Sequence, residues 1–214
     1  MSKNKSEPHE VPKETGRIEA FSDGVIGIAL TLLVLEIRVP RDLPQGVSLA
    51  SALLNQWPSY MAFLTSFTTV GLMWINHHNM FKYIRRVDNP LLILNTILLM
   101  GISLVPFQTA LLAEYLQKPE AQTAAIVYGG MFTVIGFLFF LFWRYASRHL
   151  LVPDITPHTL RIINRRNGLV GSILGLLTAL LALINAHLSL LIYIIGVLFY
   201  GWLLLGRPSE GEQS

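Results

Sequence analysis

The sequence predicts an all-α polytopic membrane protein with six transmembrane helices, and three observations carry that prediction. Of its 214 residues, 52% are hydrophobic and only 14% charged, with a mean hydropathy of +0.51; soluble domains run near ~25% charged residues. The charges are also clustered, leaving residues 43–81, 89–113, 121–143 and 167–206 as uncharged blocks of 39, 25, 23 and 40 residues. A spanning helix needs about 20 mostly apolar residues, so these blocks supply roughly six spans. A transmembrane barrel is excluded, because its strands would alternate apolar and polar with period two.

In chain order, residues 1–16 are polar and rich in Lys, Glu and Pro, and read as a disordered cytoplasmic tail. Residues 17–206 form the six-helix transmembrane domain, and 207–214 a short second tail. Span one covers 17–38 and lacks a small-x-small cleavage site, so it reads as an uncleaved span and not a signal peptide. Span two covers 51–83, where Gln56-Trp57-Pro58-Ser59 suits the interface: aromatic residues are comfortable there and a proline can begin a helix. Span three runs from 90 to about 116 and is interrupted by Pro106; span four runs from about 121 to 145. Spans five and six divide at the polar break Asn185-Ala186-His187-Leu188-Ser189. Residues 148–166, with Pro153, Asp154 and Pro157, are the one long polar loop expected.

Basic residues set the orientation. With six spans, both termini share a side with the second-to-third and fourth-to-fifth loops. That side carries 13 of the 16 Lys and Arg residues; Arg38, Arg41 and Lys118 lie opposite. By the positive-inside rule both termini are cytoplasmic. Topology thus accounts for the net charge of +3 without a nucleic-acid partner, which would need a basic face on a soluble domain. Arg161, Arg165 and Arg166 serve as such a topology signal or touch anionic lipid. With no cysteine, disulfides and thiolate chemistry are excluded. No phosphate-binding, nucleophilic or zinc motif appears, so neither an enzyme nor a cofactor is expected.

Span one is unlike the others. Asp23 and Glu36 leave only 12 uncharged residues between them. That is a rise of about 18 Å, against a hydrocarbon core of about 30 Å. One or both carboxyls therefore sit where lipid is hostile, a position that marks a functional candidate; alternatively they meet the headgroups of a tilted helix. Glu19 lies four residues from Asp23 and repels it, while Arg17, six away, is a poor intrahelical partner. Asp23 should then be held from another helix, and the candidates at its depth end span two: Trp74, Asn76, His77, His78 and Asn79. Above Asp23, Val25, Ile28, Leu32 and Leu35 make an apolar stripe with Thr31 beside it. Such a stripe touches lipid or neighbours, or lines a pore; in the former case Thr31 bonds to Gly27 one turn back.

The run Arg17-Ile18-Glu19-Ala20-Phe21-Ser22-Asp23, at the cytoplasmic end of a first span, resembles the signature of the transmembrane protein 175 family, the endosomal and lysosomal potassium channels. The six-span layout and the second-span end Trp74-Ile75-Asn76-His77-His78 share the resemblance. It implies a single-repeat prokaryotic member, a homotetramer whose pore is lined by four first helices and which conducts potassium. By offset from the motif, the family's constricting aliphatics fall on Ile28, Leu32 and Leu35, and its threonine layer, connected with selectivity, on Thr31. Arg17, Ser22 and Asp23 would join Trp74, Asn76 and His77 in an interhelical cluster, with Phe21 packed beside it. The implied partners are potassium ions, further copies of the chain and the lipid of the cell membrane. The competing expectation is a proton-coupled secondary transporter using Asp23, weakened because no second break matches Pro106.

Three motifs are read as structural. Thr69-Val70-Gly71 resembles the opening of the usual potassium-filter signature but lies inside an uninterrupted apolar run. Gly171-Ser172-Ile173-Leu174-Gly175 permits close helix approach, within or between subunits. His77 and His78 diverge by about 100° on a helix and cannot form an i, i+4 metal pair.

Overall fold

A computed structural model describes residues 15–41, 43, 45–151, 155–166 and 170–205. The tails read at 1–16 and 207–214 therefore fall almost wholly outside the described residues, as do Pro153 and Asp154. No strand occurs among the described residues; a single bridge between Ile84 and Leu151 ties the loop after the second span to the end of the fourth.

The first span is α1 (Gly16–Leu32), whose last turn tightens into a 3₁₀ segment, Leu33–Glu36. A short helix, α2 (Leu49–Leu54), leads into α3 (Trp57–Phe81), and Pro58 stands in the first turn of α3, where its missing N–H costs nothing. The third span is two helices, α4 (Asn89–Ser103) and α5 (Val105–Tyr115), broken where Pro106 has no N–H to donate back to the preceding turn. Asp88 caps α4 by accepting from Leu91 N at 3.0 Å, and Tyr145 donates to its other carboxylate oxygen. Then follow α6 (Ala121–His149), α7 (Pro157–Arg166), α8 (Val170–Ala182) and α9 (Ala186–Leu205). The polar stretch 148–166 is thus not simply a loop. Pro157, at its first helical position, opens α7.

Four of these segments are long and apolar enough to cross a bilayer: Gly16–Glu36, Asn89–Tyr115, Ala121–His149 and Ala186–Leu203. The chain is a helical membrane protein. The 25 residues of α3 are long enough, but its Asn and His residues lower its hydropathy, and α8 is 13 residues as described.

Packing separates the two halves. Helix α8 lies in a glycine seam against α6: a Cβ on Gly136 would stand 2.4 Å from Ser172 N, and one on Gly175 2.5 Å from Thr133 N. With lipid on the outside, no hydrophobic force draws helices together, and close backbone contact supplies the attraction instead. The small-residue motif Gly171–Gly175 therefore works within the subunit. Helix α1 packs instead against α3, α4 and α5.

Candidate functional site: the first helix and its polar clasp

Helix α1 has two unlike faces. Ile18, Ser22, Ile26, Ala29 and Leu33, at steps of four and three, are buried against the neighbouring helices. The opposite face carries Phe21, Ile28, Leu32 and Leu35, which are 59, 62, 42 and 67% exposed in the single chain, together with exposed Gly24 and Thr31. Val25, expected in that stripe, instead leans on the core. The outward row is therefore Gly24, Ile28, Thr31, Leu32 and Leu35. Thr31 Oγ1 donates to Ile28 O at 2.8 Å, three residues back and not to Gly27. Its one proton is thus committed to the backbone, and the hydroxyl's lone pairs are what remain to face outward.

The end of α3 clasps the start of α1, as the depth argument required. Trp74 Nε1 donates to Asp23 Oδ1 at 2.8 Å, so the carboxylate is held by a neighbouring helix and not by Arg17. Trp74 also stacks on His78, with ring centroids 6.1 Å apart.

A second, buried chain runs beside the first. His77 Nε2 lies 3.0 Å from Asn95 Oδ1, Asn95 Nδ2 donates to Ser22 Oγ at 2.9 Å, and Ser22 donates to Ile18 O at 2.7 Å. An amide oxygen only accepts, so His77 must carry its proton on Nε2. Every bond in the chain then points one way, from α3 through α4 to α1. Phe81 and Phe142 wall the imidazole at 4.8 and 5.8 Å between centroids. Asn95 was not anticipated; an amide alone within Leu-Leu-Ile-Leu-Asn-Thr-Ile-Leu-Leu was the available signal, since polar groups in lipid need partners.

The remaining cluster candidates lie elsewhere. Asn76, about 100° round α3 from His77, turns away toward α6 and α9 and joins neither chain of bonds. Arg17 is exposed with no ion pair among the described residues, and with Phe21 it lines a cleft of about 490 Å³ beside Leu92 and Thr96 of α4. Thr69-Val70-Gly71 lies in continuous helix, with Thr69 Oγ1 donating to Thr65 O at 2.8 Å, and presents no carbonyls. At the other end of α1, Arg38 pairs with Glu114 at 3.8 Å, and Lys118 also bonds Glu114.

The arrangement is similar to known proteins over nearly its whole length. Residues 17–106 match the family model described as endosomal/lysosomal potassium channel TMEM175. A potassium channel of Streptomyces collinus is 44% identical over 201 residues, covering 92% of this chain and 96% of that protein. The crystal structure of a lysosomal potassium-selective channel TMEM175 homolog from Chamaesiphon minutus superposes with a TM-score of 0.83 at 42% identity, covering 91% of this chain and all of that one. The endosomal/lysosomal proton channel TMEM175 of Gallus gallus is 34% identical over 146 residues, and the match spans 29% of its length. With the signature on α1 and these similarities across the fold, the chain belongs to the TMEM175 family.

Proposed function

We propose that the chain is a potassium channel subunit, and that four copies surround a central pore lined by the outward face of α1. The observation that carries this reading is the composition of that face. The outer faces of α8 and α9 offer lipid Ile173, Leu177, Leu180, Ile195 and Trp202. The exposed row on α1 instead holds a hydroxyl, Thr31, and a bare Gly24 among its aliphatics, with the exposed carboxylate of Asp23 one residue before that glycine. Such a face is costly against lipid and suited to water and ions.

On this reading Ile28, Leu32 and Leu35 form the constriction. A ring of Ile28 side chains excludes water, and an ion that would lose its hydration shell cannot pass until α1 moves. The Thr31 oxygens, with their protons turned to the backbone, offer a cation lone pairs in place of some of that shell. Few such ligands are fixed in place, so discrimination between potassium and sodium is weak. The clasp from Trp74 to Asp23 and the His77–Asn95–Ser22 chain set the rotation of α1, and hence which side chains face the axis. Arg17 and Phe21 are available for contacts between copies. The termini face the cytoplasm of a cell membrane, as the distribution of Lys and Arg implies, and the same charge-free cores give six spans in each subunit.

Liposomes containing the protein and a potassium gradient test the proposal. Passive, electrogenic potassium flow is expected, and Ile28→Asn should raise it severalfold in planar-bilayer recordings. Flow strictly coupled to protons would instead favour a carrier using Asp23, and unchanged Ile28→Asn currents would remove Ile28 from the gate.

A further inference from the structure

Away from α1, a cavity of about 220 Å³ lies between α3, α6, α8 and α9, beside the C-terminal part of α3. Its walls are mostly apolar, with Leu72, Phe132, Phe139, Leu174 and Val197 among them. Glycine leaves part of the room: at Gly196 a Cβ would stand 2.5 Å from Leu174 Cδ1. One wall is different. Asn76 lines the cavity, is 6% exposed, and its Oδ1 has no hydrogen-bond donor among the described residues. The neighbouring polar groups are already engaged: Thr69 donates to Thr65 O, and Tyr193 points its hydroxyl at Thr69, 3.5 Å away.

A buried amide oxygen without a donor is costly, whereas an apolar cavity of this size stays dry and accepts small apolar molecules. The two features call for one occupant: an apolar body to fill the space and a single donor to meet Asn76. The volume falls short of the ~300–1,000 Å³ of drug-sized sites, so the body is small. Val170 and Phe199, exposed at the rim, make the approach to the cavity apolar. We propose that this cavity binds a small membrane-dissolved aliphatic alcohol, its hydroxyl donating to Asn76 Oδ1 and its chain packed among Leu72, Phe132 and Val197. The site is independent of the pore and holds whether or not α1 lines one.

The test uses the full chain in phosphatidylcholine nanodiscs and a photoreactive octanol carrying a diazirine. After irradiation, mass spectrometry should find adducts on the cavity residues of α3, α6 and α9. Octanol should suppress them about tenfold better than octane at matched concentration in the bilayer, the difference expected of one buried hydrogen bond. Asn76→Leu should erase that preference, and Val197→Phe, which fills the space, should abolish labelling. Adducts confined to other surfaces, or equal suppression by octane and octanol in the unaltered protein, would overturn the proposal. The unaltered-protein comparison decides the matter even if either variant fails to fold.

Discussion

Glycine occurs on two helices of this molecule in opposite circumstances. On α6, a Cβ at Gly129 would stand 2.8 Å from Ala179 N, and one at Gly136 would collide with the backbone of α8. On α1, a Cβ at Gly24 or Gly27 would meet nothing within 4 Å. Both helices are apolar and both cross the bilayer, so lipid solvation does not explain the difference. The seam between α6 and α8 is closed by the subunit itself. The face of α1 at Gly24 and Gly27 is left open by the single chain. The seam between α6 and α8 is therefore closely packed within the chain, whereas this face of α1 is not.

Substitutions can break or sharpen that contrast. Gly136→Ala should have the largest effect, separating α6 from α8 and lowering stability on the order of 3 kcal/mol, read as a loss of unfolding temperature in detergent. Next comes Asn95→Leu, which strands the buried His77 proton and removes the donor to Ser22, whose own bond to Ile18 O remains; roughly 2 kcal/mol should be lost in the same measurement. Trp74→Phe keeps the ring but removes the donor to Asp23, and about 1 kcal/mol is expected for a bond at this depth. Smallest in stability is Gly24→Ala, which should leave unfolding unchanged or shift it upward by up to ~1 kcal/mol while reducing ion flux in liposomes. If Gly24→Ala destabilised the subunit as much as Gly136→Ala, the contrast between the two faces would be lost.

Much of this was legible before the structure. Charge-free runs located α3 to α6, α8 and α9 but not α7, which falls in a stretch expected to be a loop. Pro58 and Asn185 marked where two of them begin, and Asn185 Oδ1 indeed accepts from Leu188 N at the start of α9. The partner of Asp23 was legible from depth, because a carboxylate near lipid must be met by a donor at the same height. What escaped depended on rotation about a helix axis. Asn76 and His77 are adjacent in sequence yet serve different neighbours, and Val25 leaves the stripe by a fraction of a turn. Asn95 looked like one amide in a leucine run until three helices met around it. Gln108 is fully buried on α5 with neither amide atom bonded to a described residue, and an amide within a charge-free run was again the available signal.

The tightened turn that ends the first span has a geometric consequence. In an α-helix, side chains three apart point about 60° away from one another, so an aliphatic row spirals off its line. A 3₁₀ turn places such residues in eclipse. Leu33 and Glu36 are the pair aligned within the turn, Leu35 is brought closer to the line of Leu32 than an α-helix would place it, and the four residues climb about 2 Å farther than an α-helix would carry them. Repeated around an axis, that alignment would yield a straight-walled sleeve where a regular helix would give a slowly twisting funnel.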